Sequence, residues 1–173
     1  PQFIRLGDVL GAAVERYPLL ELELHHEITG AALEAVNEGT LDASFYYGDL
    51  HLSQVAGLPL REVTYCVTAP AEWRARIAGA GWNDLASLPW IVTPSISTHH
   101  RLLQKIFTEH GFAPAKFIEA DTEAVISNLV ASGLGVSLMR EDPALARERA
   151  GEVCLWPKAR LQTTLWFIYR AER

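Results

Sequence analysis

Residues 89–140 read PWIVTPSISTHHRLLQKIFTEHGFAPAKFIEADTEAVISNLVASGLGVSLMR. Two hydrophobic periods alternate along this stretch. Pro89–Thr93 is a short apolar run, the pattern of a buried strand, and Thr98–His110 is amphipathic at helical spacing. Phe117-Ile118 begins another strand and Glu123–Ser132 another helix, and Gly133-Leu134-Gly135 turns the chain into the strand VSLMR at 136–140. Strand, helix, strand, helix, strand is the order of an α/β fold.

The same alternation extends toward the N-terminus. Phe3, Leu6, Val9, Leu10, Ala13 and Val14 predict a helix over 3–16, ended at Tyr17-Pro18 because proline cannot continue it. LELELHH alternates from Leu20 to Leu24, which predicts a strand with one buried face. Thr29-Gly30 opens the helix AALEAVNEG, with Thr29 as N-cap and Gly39 as C-cap. Thr40–Tyr47 and Leu60–Ala69 are further strands, and residues 70–87 are wetter, with a short helix around WRARIAGAG. Beyond 140, a helix is expected at 143–150 and then two strands, EVCLWP and LQTTLWFIYR. Two βα runs result, about 1–60 and 70–150, with mostly parallel sheets and links at 61–69 and 162–170.

Bulk properties narrow the function. A chain of 173 residues buries roughly 70% of its unfolded surface and folds without staples. A net charge of −6 disfavours direct contact with a phosphate backbone. Cys66 and Cys154 lie in apolar runs without metal-ligand spacing, which points to two reduced buried thiols in a cytosolic protein. No signal peptide or membrane span is visible.

The sequence holds no G-x-S-x-G elbow, Walker A loop or H-E-x-x-H. His25-His26 would alternate sides of a strand, and His99-His100 would diverge by about 100° on a helix, so neither pair suits a metal. No cofactor is expected. The informative feature is a set of polar turns leading from strands into helices: Thr29-Gly30, Thr93–Thr98 and Asp121-Thr122-Glu123. Open α/β sheets bind ligands at the carboxyl ends of their strands, and hydroxyls at helix starts suit an anion. Plain capping explains the same residues. Asp121 opposes an anion unless it reads an amino or hydroxyl group.

AAVERYPLLELEL, LEAVNEGTLDASF, LPLREVTYCVTAP, WNDLASLPWIV, RLLQKIFTEHGFAP and LVASGLGVSLM occur in an order and spacing that resemble the effector-binding region of LysR-type transcriptional regulators. The resemblance runs over nearly the full length. It implies two Rossmann-like lobes of the periplasmic binding protein type 2, joined by two crossing strands: residues 1–65 with 162–173, and 66–161. It also implies a winged helix-turn-helix DNA-binding domain that this chain does not contain.

Members of that family open with a strand before the first helix and close with a helix after the strand matching LWFIYR, so both are expected to be missing here. Arg140-Glu141-Asp142-Pro143 and the turn in TYCVTAPAEWRARIAGAG also depart from the family pattern. Position by position, the resemblance places a small-molecule effector, an organic or aromatic acid, near Gln2, Thr29, Tyr46, Thr93, Ser95, Ser97, Thr98, Asp121 and Thr122. Thr98 is the favoured anchor, Tyr46 a flat wall, and His99 or His100 a donor that tightens anion binding below about pH 6.5.

The expected protein is a cytoplasmic homodimer, or a tetramer at full length. Its helix near Ala31–Glu38 would face the partner's helix near Glu123–Ser132, and DNA would be met only through the absent domain. It is expected to touch no membrane and catalyse nothing. The alternative is an extracytoplasmic solute-binding protein of the same fold. An enzyme of that fold would need a catalytic acid or a reactive cysteine in the cleft, and Cys66 and Cys154 lie in predicted strands.

Overall fold

A computed structural model of the chain describes residues 4–51, 54–114 and 116–171. In chain order its elements are α1 (Leu6–Arg16), α2 (Thr29–Glu38), β1 (Ala43–Tyr47), β2 (Val55–Pro70), α3 (Arg74–Ala78), α4 (Trp82–Ala86) and β3 (Trp90–Val92). There follow α5 (Thr98–His110), β4 (Phe117–Glu119), α6 (Glu123–Ala131), β5 (Ser137–Arg140), α7 (Glu141–Arg149) and β6 (Val153–Arg170).

Two long strands organise the fold. β2 and β6 pair antiparallel from Val55↔Arg170 to Pro70↔Val153, so each runs through both lobes. EVCLWP and LQTTLWFIYR, read as separate strands, are one. The ladder slips at two places, between Pro59 and Arg61 and between Cys66 and Thr68. Each slip has a proline in it, Pro59 on β2 and Pro157 on β6, and proline has no N–H to give a ladder. At the second slip Cys66 faces Arg160 but Thr68 faces Leu155, so residues 156–159 bulge out. That bulge aims the Trp156 indole into the core, where Nε1 donates to the Ala80 carbonyl at 3.3 Å.

The expectation of mostly parallel sheets is corrected. The larger sheet has the order β1-β6-β2-β5, and all its pairings are antiparallel. Parallel pairing is confined to β3 with β4 and a bridge from Trp90 to Val136. Gly135 makes that bridge possible, since a Cβ there would lie 2.6 Å from the Pro89 carbonyl oxygen. Gly133, with φ of +86°, supplies the left-handed turn out of α6. These two positions account for the SGLGVSL pattern.

Leu20–Leu24 is not a strand, and Leu20, Leu22 and Leu24 are exposed. Alternation supplies a face but no ladder, and a strand persists only where a neighbour takes its N–H and C=O groups. The larger core groups Val67, Leu85, Trp90, Leu103, Phe107, Val136, Leu138 and Trp156, and a second cluster lies behind it around Ile91, Ile126, Val130 and Met139. The first lobe keeps only Val36, Tyr46, Val55 and Ile168 as a small cluster.

Candidate interlobe effector site

Parallel β3 and β4 end at the same edge, and the Ala120 amide donates to the Val92 carbonyl at 2.9 Å. The Thr93–Ser97 turn and the Asp121-Thr122 turn therefore lie side by side at the carboxyl ends of their strands. Each runs into a helix. Ser97 is the N-cap of α5 and accepts from the His100 amide at 3.0 Å, and Thr122 is the N-cap of α6 and accepts from the Val125 amide at 3.4 Å.

One capping assignment changes, and one open alternative closes. Thr29 is the first helical residue of α2, whose N-cap is Ile28 with no side-chain cap. Thr98 is the first helical residue of α5, because Ser97 takes the cap. Thr98 is thereby free for another partner. It is buried, and its hydroxyl donates to the Tyr47 carbonyl on β1, across the seam between the lobes. The same oxygen accepts from Arg101 Nη2 at 3.0 Å.

Arg101 Nη2 also donates to the Tyr46 hydroxyl at 3.0 Å, and the guanidinium lies 5.7 Å from the Tyr46 ring centroid. Tyr46 is buried in the first lobe. A third meeting lies at Gly30, where a Cβ would collide with the Ile96 carbonyl oxygen. Thr98, Tyr46 and the neighbour of Thr29 thus come together where α2 and β1 meet the start of α5.

The other predicted residues divide differently. Thr93 and Ser97 are buried and hydrogen-bonded to each other through their hydroxyls. Thr93 Oγ1 also lies 3.1 Å from His99 Nδ1, and His99 Nε2 lies 2.8 Å from the Leu138 carbonyl. A carbonyl only accepts, so His99 carries its proton on Nε2 and Nδ1 accepts from Thr93. Thr93 in turn accepts from Ser97. The His100 ring closes the network, with Nδ1 donating to the Thr93 carbonyl at 3.0 Å. These hydroxyls are satisfied internally. Ser95 and Asp121 are exposed, and Gln2 lies outside the described residues.

His99 does not supply the expected charge near pH 6.5. Burial among apolar groups holds its pKa down to about 4, against a weaker opposing effect of its bond to Leu138. Spacing could have revealed Arg101, since Thr98 and Arg101 are three apart on a helix and share a face. The cross-lobe contact to β1 has no local signature.

Two lobes threaded by a pair of crossing strands, with polar strand-to-helix turns at their seam, define an α/β effector-binding domain of the periplasmic binding protein type 2. The chain belongs to the LysR substrate binding domain family, whose profile matches residues 3–173. It is 33% identical over 135 residues to the HTH-type transcriptional regulator BenM of Acinetobacter baylyi, an alignment covering 72% of this chain and 43% of BenM. The chain thus matches less than half the length of that regulator.

Among solved structures, the Synechocystis PCC6803 CcmR regulatory domain in complex with 2-PG superposes with a TM-score of 0.76 at 15% identity, over 98% of this chain and 83% of that one. The BenM effector binding domain with its effector benzoate gives 0.63 at 23%, over 96% and 77%. At these identities the likeness is one of fold.

Proposed function

We propose that this chain is the effector-sensing region of a LysR-type transcriptional regulator and takes a small organic or aromatic acid at the seam where Thr98 and Tyr46 meet. The observation that carries the reading is the Thr98 hydroxyl, which is buried, spared from capping and directed across the seam to Tyr47. A ligand entering there exchanges contacts between the lobes for contacts to itself. That is how binding becomes a change in lobe arrangement. Moving such an equilibrium from 1:99 to 99:1 needs about 5.5 kcal/mol of preference for one arrangement.

We place the lobe boundaries near 65/66 and 161/162, where the β2–β6 ladder passes from one core to the other. The regulator acts in the cytoplasm, as a homodimer or tetramer that meets DNA through a separate winged helix-turn-helix domain. Binding rather than catalysis is supported by His99, which is neutral with both ring nitrogens engaged. α6 remains a candidate dimer face through exposed Val125, whereas Val36 and Ile126 are spent on their own core.

The test compares benzoate, succinate and inorganic phosphate with the neutral amides benzamide and succinamide, by calorimetric titration and thermal melting. Thr98→Ala is expected to lose about 1 kcal/mol of stability with its hydrogen bond. It should lose a further 1–3 kcal/mol of affinity for whichever acid binds, the cost of an unpaired polar partner. Thr98→Ser should retain both. Unchanged affinity in Thr98→Ala would reduce the residue to a structural contact.

A further inference from the structure

The geometry points to Arg101 as the residue that selects an anionic effector, its guanidinium held at the seam by Tyr46 and Thr98 and its charge left for a carboxylate or phosphate. This rests on the proposed function and names the ligand charge that the site reads.

A guanidinium has five N–H donors. The two on Nη2 are used, one on the Tyr46 hydroxyl and one on Thr98 Oγ1, both at 3.0 Å. Both acceptors are neutral. Among the described residues, none of the ion pairs involves Arg101. Among the described residues its positive charge therefore faces a ring and two hydroxyls rather than a carboxylate within ion-pair distance. By contrast, Arg5, Arg74 and Arg147 each hold a carboxylate.

Nε and Nη1 carry the remaining three donors; both two-donor edges of a guanidinium include Nη2, so an anion meets these donors singly rather than as a parallel pair. The guanidinium is also oriented. Tyr46 is buried in the first lobe, and Thr98 is buried at the start of α5 in the second. A long side chain that would otherwise lose rotamer freedom on binding is thus already tied to both lobes. An anion on the Nε or Nη1 donors touches a group whose position depends on how the lobes meet.

The experiment sets Arg101→Gln, Arg101→Lys and Tyr46→Phe beside the wild type in the benzoate, succinate and phosphate series with its amides. The side chain of Arg101 is exposed, so Arg101→Gln should fold, with a loss of stability no larger than that of Thr98→Ala. Anion affinity in Arg101→Gln should fall on the order of ten- to hundredfold, as for loss of a charged hydrogen-bonding partner, with amide binding within about twofold of wild type. Arg101→Lys keeps the charge but loses the planar group that Tyr46 and Thr98 hold, so it should recover only part of the anion affinity. Tyr46→Phe should weaken every anion a few-fold, roughly the worth of one hydrogen bond, and leave the preference for anion over amide intact.

A wild type that binds none of the three anions overturns the functional reading, and this assignment with it. Anions that bind wild type and Arg101→Gln equally overturn the role of Arg101 alone.

Discussion

The two halves of β2 lie in unlike surroundings. From Val63 to Pro70 every residue but Thr64 is buried, whereas Leu58 to Glu62 is exposed throughout. One strand with one partner, β6, thus passes from a covered environment into an open one. In the second lobe Leu103 and Phe107 of α5 pack with Val67 and Leu138 of the sheet, and Ile126, Val130 and Ala144 of α6 and α7 pack with Cys66 and Met139. In the first lobe α2 packs through Val36 against β1 and β6, and α1 contributes no buried residue. Burial of apolar surface is the main favourable contribution to folding, so stability should be concentrated in the second lobe.

The largest expected effect tests that imbalance. Trp90 is fully buried, its Nε1 donates to the Leu85 carbonyl at 2.9 Å, and its ring packs edge-on to Phe107 at 5.2 Å. Trp90→Ala should cost about 3–5 kcal/mol through lost transfer energy and a cavity. Leu58→Ala, in the open half of β2, should change stability by no more than about 0.5 kcal/mol. Urea unfolding of both variants measures the contrast, and comparable losses would show that the first lobe contributes as much as the second.

A smaller effect comes from His99, inside the covered lobe. Folding lowers its pKa from 6.5 to about 4, so between those values the unfolded chain binds a proton that the folded chain does not. Stability should then decline as pH falls from about 6.5, with a slope approaching 1.4 kcal/mol per pH unit, and level off below about 4. Above pH 6.5 His99 adds no pH dependence. Thermal melts across that range check the slope. His99→Gln should flatten it even if the variant is less stable, and an unchanged slope would place the titration elsewhere.

The same contrast explains what could be read from the sequence. In 89–140 β3 finds β4 and the bridge to Val136 close in the chain, so the apolar periods of β3, α5 and α6 and the glycines at 133 and 135 specify much of the structure locally, although β5 pairs with β2. Around 20–24 the alternation is as regular as any in the chain, but a strand also needs a neighbour that no local pattern supplies. The antiparallel β2–β6 ladder joins residues about a hundred positions apart, so its length and its slips at Pro59 and Pro157 were hidden. At the candidate site, the hydroxyl-rich stretch Thr93–Thr98 was legible as a strand-to-helix turn. Which hydroxyls face inward depends on whether Ser97 or Thr98 caps α5, a difference of one residue that spacing does not resolve. The Thr98–Arg101 spacing was legible, but the contact of Arg101 with Tyr46 was not, because Tyr46 lies on the other lobe.

The smallest expected effect is on α1. Its eleven residues expose Leu6, Val9 and Val14, and its ends gain no side-chain cap. An isolated helix of that length is marginal in water, because a costly nucleus must be repaid by few hydrogen bonds. With no buried face to add to them, α1 should open locally far more often than the sheet. In hydrogen exchange, its amides should be the least protected of any helix, while those of β3 and the Val63–Pro70 half of β2 exchange only through global unfolding. Val9→Gln and Val14→Gln should each shift global stability by less than about 0.5 kcal/mol, since neither side chain leaves a core. Strong α1 protection at low protein concentration would mean that the helix is held within its own chain, and the contrast between the lobes would be smaller than their burial implies. Protection that rises with protein concentration would instead mean that a second copy covers the helix, and the same two substitutions should then abolish the rise.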